Sequence, residues 1–301
     1  MSPSIGVRDL PAAVRAKAVD NDATEWLTNL PDLVGALARE WGLTPGAAFG
    51  DATEAYVVGV TLGDGTPAVL KLLVPRRSAA AAYEIRFLRL AGGRGCCRLL
   101  RHDEARGALL LERLGPAMAD LGLPQPRRLE ILTDLAAAVW RPVDADLPTG
   151  ADRALRMSRW IERKWAELGR PCTRRAVDQA LAAAESRRRA FSRATAVLTH
   201  GDIHQWNALS AADGFRLVDP DGVLAEPEHD LGVLMREDPV ELLDGDPRAR
   251  AEWLAARTGT DAEAIWQWGL ADRVASGLTL TLVGLQPVAA QMLAAADHIG
   301  G

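Results

Sequence analysis

Three side chains near the middle of the chain have the types and spacing that phosphoryl transfer requires. In His200-Gly201-Asp202-Ile203-His204-Gln205-Trp206-Asn207, Asn207 stands five residues after Asp202, and Asp219 follows Asp202 by 17. Moving a phosphoryl group asks little covalent help of a protein; it needs an oriented alcohol and neutralised phosphate charge. One carboxylate can accept or orient the hydroxyl proton, while an amide oxygen and a second carboxylate are hard oxygen ligands suited to Mg²⁺. His-Gly-Asp alone also fits a surface loop in which Asp and Asn only cap backbone groups. The downstream asparagine, the strand-borne Asp219-Pro220-Asp221-Gly222 and an upstream lysine favour the chemical reading. That lysine, Lys71, is one of only three among 35 Lys+Arg and sits in the apolar run Val69-Leu70-Lys71-Leu72-Leu73. A buried ammonium is costly unless paired, and snorkelling from an edge strand is the simpler alternative. Glu84, 13 residues on, is a natural counterion. Such a pair lets the ammonium reach nucleotide phosphates.

These residues need elements to hold them. Leucines and tryptophans at three- and four-residue intervals predict an amphipathic helix over 26–41. Ala55–Leu62 and Pro67–Val74 read as strands joined at Gly63-Asp64-Gly65-Thr66, a hairpin signal. A helix over 79–91 carries Glu84, and a second hairpin spans 98–102 and 107–114. Beyond Pro116 the pattern becomes helical over 125–140, 152–168 and 173–194. Two short strands, 196–199 and 215–218, lead into the His200 and Asp219 loops, and everything from Pro227 on reads helical. Within 274–296 no charge occurs, but Ser276, Thr279, Thr281, Gln286, Pro287 and Gln291 dilute and split the stretch. It reads as two buried helices rather than a membrane span.

Composition narrows the classes. The chain has 301 residues, 48% hydrophobic and 25% charged, enough to bury a sizeable core. A net charge of −5 leaves no basic footprint for nucleic acid. Cys96, Cys97 and Cys172 lack metal-ligand spacing, and residues 1–23 lack a secretory h-region, so a cytoplasmic protein is expected.

Strand lysine, helix glutamate, HGDxHxxN and a downstream strand–Asp together resemble the aminoglycoside phosphotransferases. Asp219-Pro220-Asp221-Gly222 and Glu226-Pro227-Glu228-His229-Asp230-Leu231 are most similar to the streptomycin 6-phosphotransferase and hydroxyurea phosphotransferase branch. The resemblance runs from about residue 46 to the C-terminus. It implies an α+β, two-lobed protein-kinase-like fold, with a small antiparallel-sheet N-lobe plus one helix and a larger, mainly helical C-lobe. The lobes are expected at 1–113 and 114–301, with a hinge near 112–115. It implies ATP and Mg²⁺ as cofactors and the following roles. Asp202 is the catalytic base, Asn207 and Asp219 the metal ligands, Lys71 the phosphate-binding lysine and Glu84 its partner. Glu112-Arg113-Leu114 is the hinge that holds adenine, so Glu112 and Leu114 are cofactor-binding. His200 and Asp230 support the catalytic loop. Two departures stand out. No GxGxxG precedes Lys71, and only seven residues, 220–226, separate Asp219 from the next helix start, which leaves no platform for a peptide.

The implied acceptor is a cationic small molecule of the streptomycin type, with no nucleic-acid or membrane partner and a monomer or weak dimer as the assembly. Hydroxyurea, amino sugars and choline- or homoserine-like alcohols are alternatives. So are an inactive kinase-like ligand-binding module and a phosphohydrolase built on His200, Asp202, His204 and Asp219. A cation needs carboxylates and aromatic faces. Asp221, Trp206 and Glu237 are the acceptor candidates singled out, from a wider set of Glu226, Asp238, Asp272, Trp160, Trp165, Trp266 and Trp268. Arg187-Arg188-Arg189 reads as a solvated helix face before it reads as a phosphate patch.

Overall fold

The structure, a computed structural model, describes residues 10–50, 52–75 and 80–300. The chain divides into two compact units, Met1–Gly115 and Pro116–Gly301.

In the first unit, helices α1 (Ala12–Asp20) and α2 (Thr24–Trp41) precede strands β1 (Thr44–Ala48), β2 (Ala55–Thr61) and β3 (Pro67–Leu73). Helix α3 (Ala80–Ala91) and strands β4 (Leu99–Asp103) and β5 (Ala108–Glu112) follow. The five strands form one antiparallel sheet in the order β1-β2-β3-β5-β4. The β2–β3 turn closes as its residues dictate: Asp64 Oδ1 accepts from the Thr66 N–H at 2.8 Å. Gly65 takes the left-handed φ of +88° there. Side chains alternate along β3, so Ala68, Leu70 and Leu72 enter a core shared with Leu27, Leu30, Val34 and Leu37 of α2. Each such leucine contributes about 1.5–3 kcal/mol by leaving water. Strand β1, Thr-Pro-Gly-Ala-Ala, carries no strand signal in its sequence; it is an edge strand, where proline is tolerated.

In the second unit, a short 3₁₀ turn (Met118–Leu121) leads to helices α4 (Gln125–Val139), α5 (Gly150–Glu167) and α6 (Arg174–Ala190). Strands β6 (Val197–Thr199), β7 (Ala208–Ala211), β8 (Gly214–Leu217) and β9 (Val223–Ala225) come next. Helices α7 (Glu228–Leu234), α8 (Pro239–Leu243), α9 (Pro247–Thr258), α10 (Ala262–Leu282) and α11 (Val288–Gly300) complete it. Helices α5, α6, α10 and α11 share one apolar core. The charge-free stretch near the C-terminus breaks between α10 and α11, and among the described residues no helix is long and apolar enough to cross a membrane. Helices α7 and α10 approach at glycines: a Cβ on Gly232 would lie 2.2 Å from Trp268 Cβ, and one on Gly269 would lie 2.5 Å from Met235 Cβ. That contact seats α7, and the residues just after it, on α10.

Candidate active site

Lys71 is set by the register of the first unit's sheet, opposite Val57 of β2 and Leu109 of β5. With only 5% of its surface exposed, its ammonium needs a partner, and Glu84 Oε1 of α3 lies 2.6 Å from Nζ. At the end of β5, Glu112 accepts from the Arg98 N–H at 2.8 Å and from Arg98 Nε at 2.9 Å, so its carboxylate is committed to Arg98. Its own N–H donates to Arg98 O at 3.1 Å. Leu114, two residues on, lies beyond the end of the strand.

In the second unit, two small sheets bring the distant acidic residues together. Strands β6 and β9 pair with Thr199 opposite Val223, and Gly222 N–H donates to His200 O at 3.1 Å. The His200 loop thus leaves one strand where the Asp219–Gly222 loop enters the other. Between them β7 and β8 form a hairpin, and the Val218 N–H donates to Asn207 O at 2.8 Å. Asn207 and Asp219 consequently flank the open end of one hairpin, which closes the 17-residue gap seen in the sequence. Gly201 has φ +88°, and a Cβ there would lie 2.9 Å from Asp221 Cβ. Asp219 itself takes φ +58°, a left-handed conformation that Asp tolerates better than most residues.

Asp202 is held on both oxygens. Oδ2 lies 3.3 Å from His204 Nε2 and accepts from Asn207 Nδ2 at 3.2 Å. The Trp206 N–H donates to His204 Nδ1 at 3.2 Å, which leaves Nε2 to donate toward Asp202. Oδ1 accepts from Arg236 Nη2. A carboxylate offers about four lone-pair sites, so one remains, on Oδ1. The side chain is still 32% exposed, leaving that site reachable. Burial pushes the Asp202 carboxyl up, but Arg236 and His204 outweigh it and hold the group well below the ordinary carboxylate range.

The loop is pinned from beneath by Asp230 of α7, which has no exposed surface. Asp230 accepts from the Gly201 N–H at 2.7 Å, the His200 N–H at 3.1 Å and Trp140 Nε1 at 2.9 Å. Burial lifts its carboxyl to about 6 against these donors. His200 is fully buried and pushed down to about 4 by desolvation, so it stays neutral; its Nδ1 accepts from the Asp202 N–H at 3.3 Å.

The acceptor candidates separate. Trp206, in the same loop as Asp202, is 60% exposed. Asp221 pairs with Arg153 at 3.0 Å, and Glu237 Oε2 accepts from the Gln205 N–H at 3.4 Å. From the wider set, Asp238 is bound to Arg128, Glu226 to Trp268 Nε1 and Arg187, and Asp272 to Arg236. Trp165 donates to Cys172 O, Trp160 donates to Thr279, and the Trp266 ring lies under Arg248, so these rings pack helices. Arg188 and Arg189 pair with Glu185 on the same helix. Sequence reasoning missed Arg236 and Trp140 as parts of the site. Both meet their partners across the fold, Arg236 at 34 residues from Asp202 and Trp140 at 90 from Asp230, with no local motif to mark them.

The donor set suits Mg²⁺. Asn207 spends Nδ2 on Asp202 O and Oδ2, which leaves its Oδ1 as the ligand atom, and the exposed Asp219 follows directly on the Val218–Asn207 backbone hydrogen bond. Two hard oxygens are enough for an ion that keeps water and phosphate in its other positions. Among the described residues no group of three or more His, Cys, Asp or Glu could hold a metal by itself.

Solved structures share this architecture. Choline kinase from Cryptosporidium parvum matches with a TM-score of 0.60 at 10% identity, over 89% of this chain and 93% of that one. A thermostable mutant of aminoglycoside phosphotransferase APH(4)-Ia, in ternary complex with ADP and hygromycin B, matches with a TM-score of 0.59 at 15% identity, over 88% and 97%. The fold is thus the two-lobed, α+β, protein-kinase-like fold of small-molecule phosphotransferases. The model of the aminoglycoside/hydroxyurea antibiotic resistance kinase family matches residues 40–284. Streptomycin 6-kinase of Streptomyces glaucescens is 34% identical over 227 residues, 73% of this chain and 71% of that one. Hydroxyurea phosphotransferase of Kitasatospora aureofaciens is 31% identical over 213 residues, 69% and 61%. The chain belongs to the aminoglycoside/hydroxyurea antibiotic resistance kinase family.

Proposed function

We propose that the protein is an ATP- and Mg²⁺-dependent O-phosphotransferase whose acceptor is a hydroxyl of a streptomycin-type aminoglycoside. The observation that carries this reading is Asp202: its carboxylate is tied down by three donors and keeps one lone-pair site open to solvent. The names of the relatives support the acceptor class. When bound, ATP and Mg²⁺ supply the phosphoryl group and most of the charge neutralisation it needs.

The chain's own residues supply orientation. Lys71, kept in place by Glu84, contributes a compact cation for phosphate oxygens. Asn207 Oδ1 and Asp219 would hold the metal. The free site on Asp202 Oδ1 receives the acceptor O–H. With Arg236 on the same oxygen, Asp202 is a weak base, so its main work is to aim the hydroxyl until the proton becomes acidic late in transfer. Trp206 offers an exposed aromatic face for a cationic acceptor. The test is ATP consumption against streptomycin, amino sugars, hydroxyurea and small alcohols, for the wild type and Asp202→Asn. Turnover with streptomycin that disappears in Asp202→Asn, with ATP still bound, is expected. Wild-type turnover in that variant overturns the assignment.

A further inference from the structure

Arg236 has no place in the sequence motifs, yet its guanidinium is braced by three side chains at the catalytic loop. Its Nη2 donates to Asp202 Oδ1. Its Nη1 donates to Asp272 Oδ2 at 2.7 Å and to Ser276 Oγ at 2.7 Å, both on α10. Asp272 is 4% exposed, so its charge is compensated inside the protein rather than by water. The backbone that carries Arg236 is also fixed. The carbonyls at the end of α7 that no helical N–H can reach are taken by other arginines. Arg250 Nη1 donates to Leu234 O at 3.3 Å and to Glu237 O, and Arg273, 1% exposed, donates to Met235 O.

We propose that Arg236, braced by Asp272 and Ser276, is a positioning residue that sets the rotation of the Asp202 carboxylate and leaves one lone pair for the acceptor hydroxyl. The proposal rests on the phosphotransferase reading above. Without Arg236, Oδ1 keeps no donor among the described residues and the carboxylate is held on one oxygen only. The bidentate guanidinium matters because it spans two carboxylates at once, which an ammonium on a flexible stem does not do. The line runs from α10 through Arg236 to the reacting hydroxyl, so Asp272 acts on catalysis without touching substrate.

The experiment measures kcat and KM for ATP and for streptomycin in the full-length protein, with Asp202→Asn as reference. Arg236→Ala is expected to lower kcat by roughly 10²-fold while KM for ATP stays within about threefold. Free guanidinium at tens of millimolar should restore about tenfold of that loss, and methylammonium should not. Asp272→Asn should lower kcat by about tenfold and add almost nothing to Arg236→Ala, because the two act as a unit. If Arg236→Ala does not fold, Arg236→Met combined with Asp272→Asn removes both buried charges; it should fold and still lose kcat. A folded Arg236→Ala or double variant with wild-type kcat overturns the proposal, as does a folded Arg236→Ala that guanidinium does not rescue. Wild-type turnover in Asp202→Asn instead overturns the underlying reading, whatever Arg236 does.

Discussion

Replacing Asp230 by Asn should make the protein more stable and less active, and the stability gain should depend on pH. Asp230 is wholly buried, and burial lifts its carboxyl from 3.8 to about 6. The folded state therefore binds a proton that the unfolded chain has already released between about pH 4 and 6. Stability falls as pH rises wherever the folded state holds more protons. At 1.36 kcal/mol per tenfold change in proton affinity, ionised Asp230 costs about 3 kcal/mol above pH 6. Asparagine has the same shape and does not titrate. Near pH 4 the two proteins should differ by about 1 kcal/mol or less, since a protonated carboxyl and an amide each keep one good acceptor. From pH 4 to 6.5 the difference should grow by about 2 kcal/mol in favour of Asn and then level off. His200 and His229, held near 4 and 3 by desolvation, titrate in both proteins and cancel in the comparison. Urea unfolding of both proteins at pH 4.5, 5.5, 6.5 and 7.5 measures it. A difference that stays flat across this range refutes the burial argument. Activity should move the other way: one amide oxygen cannot serve the N–H groups of both His200 and Gly201, so the loop loses a tether and kcat drops about tenfold.

Two other substitutions probe one unit each. Lys71→Arg keeps the charge but puts a planar fork into a slot 5% exposed, and steady-state kinetics should show kcat/KM for ATP down by about 10²-fold. Trp206→Ala removes an exposed face worth about 1 kcal/mol to a cation. KM for the aminoglycoside should rise about fivefold while KM for ATP is unchanged; an equal rise in both would detach Trp206 from the acceptor.

What could be seen in the sequence was whatever is encoded locally. Lys71 was visible because it is a lone charge in the apolar run of Val69, Leu70, Leu72 and Leu73, and Asp202 and Asn207 because they share one loop. The long elements were visible for the same reason: α2 buries Leu27, Leu30, Val34 and Leu37 on one face, at helical spacing. Strand β7, Ala-Leu-Ser-Ala, was not, because nothing in those residues favours a strand; it exists through pairing with Phe215 and its neighbours. The acidic residues set the sharper limit. Asp202, Asp221, Asp230, Glu237, Asp238 and Asp272 look alike in the sequence, yet the fold gives them different work. Asp238 and Asp272 answer mostly buried arginines, Asp221 pairs with Arg153, Asp230 ties backbone N–H groups, and Asp202 faces solvent with a lone pair to spare. A carboxylate's role depends on which cations and N–H groups surround it, and the deciding partners can arrive from far along the chain, as Arg236 does at 34 and 36 residues. The chemistry of this site is therefore legible in one octapeptide, while the control of that chemistry lies in the packing of α7 on α10.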